Sequence, residues 1–386
     1  MRMIKKILFV TTISGFVPQF EMNDVKIMQD MGYEVHYASN FTKQVYSFDQ
    51  QKLVDQGIKL HSIDIEKSPL NLHAAMKAIR QIREIIENEQ ISIVHCHNPM
   101  GGVCARIAAY RSRINTYIIY TAHGLHFYKG APLVNWLLYY PVEKLMAHMT
   151  DVIITINRED YINVKEHFSL KKNGHVEHIH GVGVDMDRFK PMREISEKMR
   201  YELQVPPGAF HIVTAAELNE NKNQQVIIEA IAALQRDDIY YSICGVGPMK
   251  EKLEKLIEDK GLTDKVRLLG FCSDMDKVLQ TADVFAFPSL REGLGIAAIE
   301  ALACGVPVIA FKNRGTSEYI IDGVNGIMCD RNDADMFKEA ILKMYSDKTY
   351  RRSCAENSRA SVRRFADVEV IAVMQRIYGE ADKMIS

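Results

Sequence analysis

The feature that most constrains this chain is an alternation, repeated from end to end, of short β-branched runs with amphipathic helical patterns. Such alternation is typical of parallel sheets that carry helices on both faces. A chain of 386 residues exceeds the size of one ordinary core and favours two domains. The sequence therefore predicts an α/β protein with two Rossmann-like, doubly wound domains.

The boundary between these domains is predicted at the stretch G-V-G-V-D that starts at Gly181, because glycines interrupt the alternation there. The first domain then covers residues 1–182 and the second covers residues 183–366. Ligands of open parallel sheets bind beyond the carboxyl ends of the strands. We therefore expect the two domains to face each other across a cleft that holds the chemistry.

Charge, cysteine content and hydropathy exclude several functional classes. The formal net charge of -1 provides no global positive potential for nucleic acid. The seven cysteines form no Cys-x-x-Cys pair, which indicates free thiols in a reducing compartment rather than disulfides or a structural metal. No apolar run approaches the ~20 residues that cross a bilayer. We expect a cytoplasmic protein that at most rests on the inner face of the plasma membrane.

The most informative stretch is a glycine-containing loop with an apolar helical pattern after it, E-G-L-G-I-A-A-I-E-A-L-A-C-G-V-P-V-I. Glycines before a helix let the backbone approach a ligand, and the free N–H groups there favour a phosphate. The two carboxylates are instead suited to accept hydrogen bonds from ribose or hexose hydroxyls. The residues concerned are Glu292, Gly293, Leu294, Gly295 and Glu300.

This stretch resembles the E-x7-E signature of retaining glycosyltransferases of family 4, with Glu292 and Glu300 as the two glutamates. The resemblance extends over nearly the whole chain and implies the two-domain fold called GT-B. It also implies an N-terminal acceptor-side domain, a C-terminal domain that binds a nucleotide sugar, and a last helix, 367–386, that packs back on the N-terminal domain. Family members of this kind act in bacterial surface-polysaccharide synthesis.

A second match follows the first strand pattern of the second domain, in A-E-L-N-E-N-K-N. The family usually carries an Arg and a Lys here, five residues apart, which neutralise the donor diphosphate. Lys222 falls on the Lys position, but Glu217 stands at the Arg position. Two explanations stay open: Arg314 supplies the missing charge, or the site relies on Lys222 and backbone amides.

In the first domain the resemblance assigns roles to Gly15 and His123. Gly15 matches a glycine loop that approaches the diphosphate, and His123 matches a histidine that faces the donor sugar. His95, His97 and His126 are close by, but carboxylates at metal spacing are missing from the sequence around them, and the family needs no metal. We therefore expect no metal and no cofactor, a structural His95, and a His123 that polarises a sugar hydroxyl or the reacting carbonyl.

Gly245 and Gly247 form a Gly-x-Gly turn without the third glycine of the dinucleotide fingerprint, which disfavours a nicotinamide-dependent dehydrogenase. In the family this turn frames the nucleotide base together with the position of Phe271. The predicted donor site therefore consists of Gly15, Gly245, Gly247, Phe271, Gly293, Leu294, Gly295, Glu300 and Arg314.

These features predict a retaining hexosyl- or N-acetylhexosaminyltransferase. It would move a sugar from a nucleoside diphosphate donor, UDP-linked by preference, to a glycan or a polyprenyl-diphosphate-linked saccharide. Catalytic roles are expected for His123, Lys222 and Glu292, and a front-face displacement is expected because no residue is an obvious covalent nucleophile. Two alternatives remain open: a UDP-sugar epimerase of the same fold, and a non-catalytic sugar-nucleotide-binding protein, which Glu217 favours.

The acceptor side carries an aromatic stretch, V-N-W-L-L-Y-Y-P, that starts at Val134 and contains the only Trp. One interpretation is a surface that rests on an anionic bilayer and reaches a lipid-linked sugar. The other is a packed helix with ordinary solvated cations. The basic residues that recur at helical spacing in this domain are Lys77, Arg80, Arg83, Arg106, Arg111 and Arg113.

Overall fold

The computed structural model describes residues 4–43, 48–192 and 196–385. These residues form two compact units: unit 1 runs to Val182 and resumes at Val368, and unit 2 comprises Gly183–Asp367. Each unit contains a parallel sheet with helices packed against it, which confirms the predicted fold class of two Rossmann-like, doubly wound domains. Residue 386 of the predicted last helix and residues 1–3 of the predicted first domain lie outside the described residues.

The strands of unit 1 are β1 (Lys6–Val10), β2 (Glu34–Ser39), β3 (Lys59–Ser62), β4 (Ile93–His97), β5 (Tyr117–Ala122), β6 (Val152–Thr155) and β7 (His175–His178). Within the described residues they form one parallel sheet in the order β3-β2-β1-β4-β5-β6-β7. The sequence patterns predicted every one of these strands except β7. This edge strand has the sequence H-V-E-H and is only half-buried, so it lacks the apolar run that marks an inner strand.

The helices of unit 1 that precede its boundary are α1 (Phe16–Phe20), α2 (Met22–Asp30), α3 (Gln50–Asp55), α4 (Leu72–Glu89), α5 (Pro99–Tyr110), α6 (Leu133–Ala147) and α7 (Arg158–His167). Helix α4 shows why they pack on the sheet: Ala74, Ala78, Ile82 and Ile86 recur every four residues and are all buried. Strands β4 and β5 are buried along their whole length. The core of unit 1 therefore lies on both faces of its sheet.

Unit 2 repeats the plan with β8 (Phe210–Ala215), β9 (Ile239–Cys244), β10 (Val266–Gly270), β11 (Val284–Phe287), β12 (Val308–Phe311) and β13 (Gly326–Cys329). In the part of unit 2 that is described they form a parallel sheet in the order β10-β9-β8-β11-β12-β13. Its helices are α8 (Ser196–Glu202), α9 (Gln225–Leu234), α10 (Lys250–Asp259), α11 (Met275–Leu279), α12 (Ile296–Ala303), α13 (Ala334–Ser346) and α14 (Lys348–Ser361), with 3-10 turns at Thr316–Glu318 and Arg363–Phe365.

Helix α15 (Asp367–Ile385) belongs to unit 1 from Val368 onward. Its Tyr378 is fully buried and donates a hydrogen bond to Asp24 in α2 (2.9 Å). The same phenol oxygen lies 2.7 Å from His95 Nδ1 at the end of β4. The last helix is thus part of the core that supports the carboxyl end of the unit 1 sheet.

Each sheet has one point where the strand order reverses, between β1 and β4 in unit 1 and between β8 and β11 in unit 2. The loops that leave neighbouring strands in opposite directions open a crevice at such a point, and ligands bind there. In unit 2 these loops carry Lys222 and Glu292, and in unit 1 they carry Gly15 and Asn98. The predicted residues Lys222 and Glu292 therefore lie at the switch point of the unit 2 sheet, and Gly15 lies at that of the unit 1 sheet.

Candidate functional site

Lys222 and Glu292, two of the predicted catalytic residues, meet at the switch point of unit 2. Lys222 lies on the loop after β8, and its Nζ donates a hydrogen bond to Glu292 Oε1 on the loop after β11. The two side chains are 21% and 11% exposed, and Lys222 Nζ lies 5.5 Å from the centre of the Phe287 ring. The ammonium group that would meet a diphosphate is therefore paired with a carboxylate of the same site.

Glu300, the second glutamate of the motif, lies in the second turn of α12. No described residue donates a hydrogen bond to its side chain. Burial raises the pKa of Glu300 to about 7, while the charge of Arg188 lowers it and the charge of Asp276 raises it by smaller amounts. The Glu300 carboxylate is thus an acceptor that can bind hydroxyl groups of a ligand.

The loop before α12 is held by contacts at both of its ends. Leu294 is buried, and the carbonyl of Gly295 accepts a hydrogen bond from the Tyr319 hydroxyl (3.2 Å). Arg314 Nε lies 3.4 Å from the backbone carbonyl of Glu292, to which it donates. These contacts set the backbone of Gly293 and its neighbours in front of the helix and bring the Arg314 guanidinium to the same loop.

Glu217, the departure from the family pattern, follows the end of β8 and has an exposed side chain. It makes no ion pair with a described residue, and its backbone carbonyl accepts a hydrogen bond from Gln224 Nε2 (3.0 Å). The charge of Glu217 therefore lies in solvent, where water and salt screen it.

Gly245 and Gly247 pack directly against the backbone of the loop that carries Glu217. A Cβ atom at Gly245 would lie 1.9 Å from the carbonyl oxygen of Ala216, and one at Gly247 would lie 2.4 Å from that of Leu218. Only glycine permits this approach. Phe271 follows β10 and is 79% exposed.

In unit 1, Gly15 begins α1 just beyond β1, and Asn98 ties its loop to the end of β4. The Oδ1 atom of Asn98 accepts from the backbone N–H groups of Thr12 (3.2 Å) and Ile13 (3.4 Å). Thr12 Oγ1 in turn accepts from the N–H of Gly101 (2.6 Å). Asn98 is not predicted from the sequence, because its left-handed backbone (φ 63) leaves no trace in an apolar pattern.

His123 lies beyond β5, beside His97 and Glu21. The Nε2 atom of His123 is 3.1 Å from His97 Nδ1, and Glu21 Oε1 is 3.6 Å from each of these nitrogens. Phe16 contacts the edge of the His123 ring at 4.8 Å between centres. Burial lowers the pKa of His123 to about 4, so its imidazole is neutral at pH 7 and acts as a hydrogen-bonding group rather than as a cation.

Glu21 corrects the sequence argument about metals. Carboxylates at metal spacing are missing from the sequence around the histidines, but Glu21, at the junction of α1 and α2, lies at ligand distance from His97 and His123. Burial raises the pKa of Glu21 well above its usual value, and the neighbouring Asp24 raises it further. Spacing along the chain does not reveal this carboxylate, because Glu21 is remote in sequence from both histidines.

The other two histidines have local roles. His95 is fully buried between Thr121 Oγ1 (2.8 Å) and the Tyr378 hydroxyl (2.7 Å), as its structural interpretation requires. His126 stacks on Tyr139 at 4.5 Å between ring centres. Neither ring belongs to the group formed by Glu21, His97 and His123.

The basic residues of unit 1 that recur at helical spacing differ in their surroundings. Arg106 is fully buried, pairs with Glu143 (2.7 Å) and lies over the Tyr120 ring, so it is not a surface cation. The N-terminal members of the set pair with acidic neighbours, in the pairs Lys77–Asp64, Arg80–Glu84 and Arg83–Glu87.

Helix α6, which contains the aromatic stretch, packs against the core on one face and exposes apolar side chains on another. The side chains of Trp136, Tyr139 and Tyr140 pack against the core of unit 1. An apolar face on the same helix is exposed, with 80% of Leu133, 75% of Leu137 and 58% of Leu145 accessible. Among the described residues, no helix is both long and apolar enough to cross a membrane.

Comparisons with known proteins cover both units. Residues 6–157 match the family described as Glycosyl transferase 4-like, and residues 195–361 match the family described as Glycosyl transferases group 1. Among solved structures, Anabaena Alr3699/HepE in complex with UDP has a TM-score of 0.75 at 20% identity and covers 98% of this chain and 100% of its own. That likeness supports the GT-B fold.

Two curated relatives extend the match. EpsD of Bacillus subtilis (strain 168), which is assigned as a glycosyltransferase, is 38% identical over 380 residues, or 97% of each chain. The UDP-Gal:alpha-D-GlcNAc-diphosphoundecaprenol alpha-1,3-galactosyltransferase of Escherichia coli is 27% identical over 72% of this chain and 73% of its own. With two matched regions and a relative that aligns over nearly its full length, the chain belongs to the glycosyltransferases of the group 1 and 4-like families.

Proposed function

We propose that this glycosyltransferase is a retaining enzyme of family 4 that transfers a hexosyl or N-acetylhexosaminyl group from a UDP-sugar to a saccharide acceptor. The observation that carries the proposal is the pairing of Lys222 with Glu292 at the switch point of unit 2. The carboxylate of Glu300, on the adjoining helix, forms no ion pair with a described residue. Support for the donor comes from the Escherichia coli relative, whose name specifies UDP-Gal, and from Anabaena HepE, solved with UDP-glucose.

In the proposed reaction the Lys222–Glu292 pair opens when the donor binds. Lys222 then meets the diphosphate, and Glu292 is released to accept hydrogen bonds from the donor sugar. Arg314 and the backbone N–H groups of Gly293–Gly295 add positive potential on the same side. These groups stabilise the negative charge that develops on the leaving diphosphate, which is the usual largest contribution in such sites.

Retention follows from a front-face displacement in this proposal. The bond between the anomeric carbon and the diphosphate oxygen breaks, and the acceptor oxygen bonds to the same face of the sugar. The departing phosphate oxygen takes the acceptor proton. Glu292 is not the nucleophile in this scheme, and trapping a covalent glycosyl-enzyme would contradict it.

The remaining donor contacts divide between ribose, base and sugar. Glu300 accepts hydrogen bonds from the ribose hydroxyls, which suits a carboxylate that receives no hydrogen bond from the described residues. The exposed ring of Phe271 stacks on the base beside Gly245 and Gly247. In unit 1, the Gly15 loop approaches the diphosphate, and the neutral imidazole of His123 bonds a hydroxyl group of the donor sugar.

We further propose that unit 1 supplies the acceptor side and receives a glycan or a polyprenyl-diphosphate-linked saccharide at the inner face of the plasma membrane. The Escherichia coli relative has a diphosphoundecaprenol-linked acceptor in its name. The exposed leucines of α6 are suited to insert among lipid headgroups, and an amphipathic surface of this kind binds without spanning the bilayer.

The proposal is tested by a thermal-shift panel of UDP, GDP, ADP, CMP, NAD and several UDP-sugars. A ligand at about 100 times its Kd stabilises a protein by about 2.7 kcal/mol. We expect a shift with UDP and UDP-sugars that is lost in Lys222→Ala and Glu300→Ala and kept in the surface controls Lys250→Ala and Glu254→Ala. A shift with NAD alone would refute the proposal.

Product analysis then separates the transferase from its two rivals. A UDP-sugar epimerase would convert the UDP-sugar without an acceptor, and a non-catalytic binding protein would shift with UDP but release none of it from a UDP-sugar. UDP release that depends on an added acceptor is the outcome expected here. The exposed carboxylate of Glu217 is the one feature that favours the non-catalytic alternative.

A further inference from the structure

Two cysteines of unit 2 come together where strands β9 and β10 end. Cys244 is the last residue of β9, and its partner across the parallel ladder is Gly270, the last residue of β10. Gly270 has a left-handed backbone (φ 70), which turns the chain just before Cys272. The Cys272 Sγ atom lies 3.7 Å from the carbonyl oxygen of Gly270, and the Cys244 thiol forms a hydrogen bond with the Cys272 sulfur. Strand pairing thus creates a dithiol that no Cys-x-x-Cys spacing marks.

The two thiols of this pair differ in accessibility and in reactivity. Cys244 is 3% exposed, whereas Cys272 is only partly buried. The hydrogen bond from Cys244 lowers the pKa of Cys272 to about 7, although burial opposes the change. The same hydrogen bond, together with burial, raises the pKa of Cys244. At neutral pH a large part of Cys272 is therefore the thiolate, which is the nucleophilic form of cysteine.

The other five cysteines lack these properties. All of them are buried, and burial raises the pKa of Cys96, Cys104 and Cys329 to about 12. Buried thiols with a raised pKa are inert toward oxidants. Cysteines that respond to oxidants are accessible, have a low pKa and lie next to a second cysteine that resolves the oxidised sulfur. Within this chain, Cys272 with Cys244 behind it meets these conditions.

We propose that Cys272 and Cys244 are an oxidation site, at which a peroxide converts the two thiols into a disulfide that weakens the binding of the nucleotide base. Both thiols are free in the structure, which is the reduced form of the pair. The disulfide itself is independent of the reaction that the protein catalyses. Its effect on the base rests on the proposed function, in which Phe271, the neighbour of Cys272, stacks on the base.

The oxidation needs a peroxide as its only oxidant, and its atoms and electrons balance. The Cys272 thiolate attacks one oxygen of hydrogen peroxide; a sulfur–oxygen bond forms, the oxygen–oxygen bond breaks, and the departing hydroxide takes up a proton to give water. The Cys244 sulfur then attacks the resulting sulfenic acid. The sulfur–sulfur bond forms, and the hydroxyl group leaves with the Cys244 proton as a second water. Two thiols are oxidised, and one peroxide is reduced to two waters.

The effect on the base follows from which cysteine can move. Cys244 lies in a strand between two neighbours of the sheet, and the backbone of the next residue, Gly245, packs so closely on Ala216 that a Cβ atom there would lie 1.9 Å from the Ala216 carbonyl oxygen. Cys272 lies in a loop. Closing the sulfur–sulfur bond to about 2.05 Å therefore displaces Cys272 and the adjoining Phe271 ring. We expect the Kd for UDP to rise about 5- to 10-fold, as for the loss of one base–aromatic stack.

The first part of the test maps the oxidised cysteines and needs no nucleotide. The full-length protein is reduced, freed of reductant and treated with hydrogen peroxide, and its free thiols are then alkylated for peptide mass spectrometry. We expect a disulfide that joins the peptides of Cys244 and Cys272, that dithiothreitol reverses, and that is absent in Cys272→Ser. The matched control Cys354→Ser, which replaces a buried thiol of α14, should form the same disulfide.

Three outcomes of the mapping would overturn the site. They are peroxide treatment that leaves both thiols free, a disulfide that joins other cysteines or two chains, and alkylation of Cys272 in the untreated protein that is no faster at pH 7 than alkylation of the five buried cysteines. All three are measured on the wild type, so they remain decisive if Cys272→Ser does not fold.

The second part measures UDP binding by isothermal titration before and after peroxide. The Kd of the wild type should rise on oxidation and return with dithiothreitol, which does not repair oxidised methionine. Peroxide should leave the Kd of Cys272→Ser unchanged and should raise that of Cys354→Ser. A Kd that is equal in the dithiol and disulfide forms would overturn the effect on the base. A reduced protein that does not bind UDP would instead refute the proposed function, while the mapping would still decide the oxidation site.

Discussion

Replacement of Glu292 by Gln should strengthen the binding of UDP while it slows transfer. Lys222 is paired with Glu292, so a diphosphate must displace a carboxylate before it can meet the ammonium. A glutamine keeps the shape of the side chain but removes its charge, and the cost of opening the pair largely disappears. Glu292 contacts only the sugar in our proposal, so its loss removes nothing from the binding of UDP itself.

The size of the effect follows from the burial of the pair. Exposed ion pairs contribute about 0–1 kcal/mol, and breaking a fully buried pair costs about 3–5 kcal/mol. The side chains of Lys222 and Glu292 are 21% and 11% exposed, so this pair is intermediate between an exposed and a fully buried one. We therefore expect that opening the pair costs about 1–2 kcal/mol. That energy corresponds to about a 5- to 30-fold lower Kd for UDP.

Isothermal titration of UDP into the wild type and Glu292→Gln measures this change, with Glu254→Gln as the matched control. Glu254 also pairs with a lysine, Lys250, at 3.7 Å, but on the exposed face of α10, so its replacement should leave the Kd unchanged. Turnover of a UDP-sugar should fall in Glu292→Gln, because the hydroxyl contacts to the donor sugar are weakened. A Kd for UDP that is equal to or higher than that of the wild type would refute the competition between carboxylate and diphosphate.

Three further predictions concern pH, membrane and core. Burial raises the pKa of Glu300 to about 7, so the carboxylate that accepts the ribose hydroxyls becomes protonated as the pH falls below that value. The affinity for UDP, measured by calorimetry, should therefore decrease from pH 8 to pH 5.5. In Glu300→Gln the affinity should depend much less on pH. Leu137→Glu should abolish flotation with anionic liposomes, whereas Leu342→Glu on unit 2 should not; no flotation of the wild type would remove the membrane proposal. Arg106→Met should lower the free energy of unfolding in urea by about 3–5 kcal/mol, because Glu143 is left buried without its ion-pair partner. Replacing both residues by Met should restore most of that free energy. Equal losses in the single and double variants would contradict this prediction.

The fold was predictable because its signals are local. Each inner strand is a short apolar run, and each packed helix repeats its buried residues every three or four positions, as α4 does. The same reasoning missed β7, whose polar sequence at the sheet edge carries neither signal. The pairing of Lys222 with Glu292 was foreseeable only through the family resemblance, which places both residues at strand ends.

The surroundings of Glu21 and Arg106 were not predicted, because they depend on contacts between residues that are remote in sequence. Glu21 reaches His97 and His123 only because β1, β4 and β5 are neighbours in the sheet, and no spacing along the chain reveals this. Arg106 had a usable signal: it lies among small residues of α5, and Gly102, Ala105 and Ala109 are buried with it. A helix made of such residues packs closely on several sides, so a cation within it is more plausibly paired in the core than exposed.

The position of Glu217 bears on whether a diphosphate site can work without the usual Arg. An exposed carboxylate repels a phosphate through water and salt, which screen charges beyond a Debye length of about 8 Å, and exposed charges contribute little even at contact. Lys222 is largely buried and acts in a medium of lower effective dielectric, where each charge has a larger effect. A buried cation freed from Glu292 therefore outweighs an exposed anion at Glu217. Glu217 in place of the usual Arg therefore removes one favourable contact to the diphosphate, but the electrostatic potential of the site stays positive. We expect Glu217→Arg to raise the affinity for UDP modestly rather than to restore a lost function.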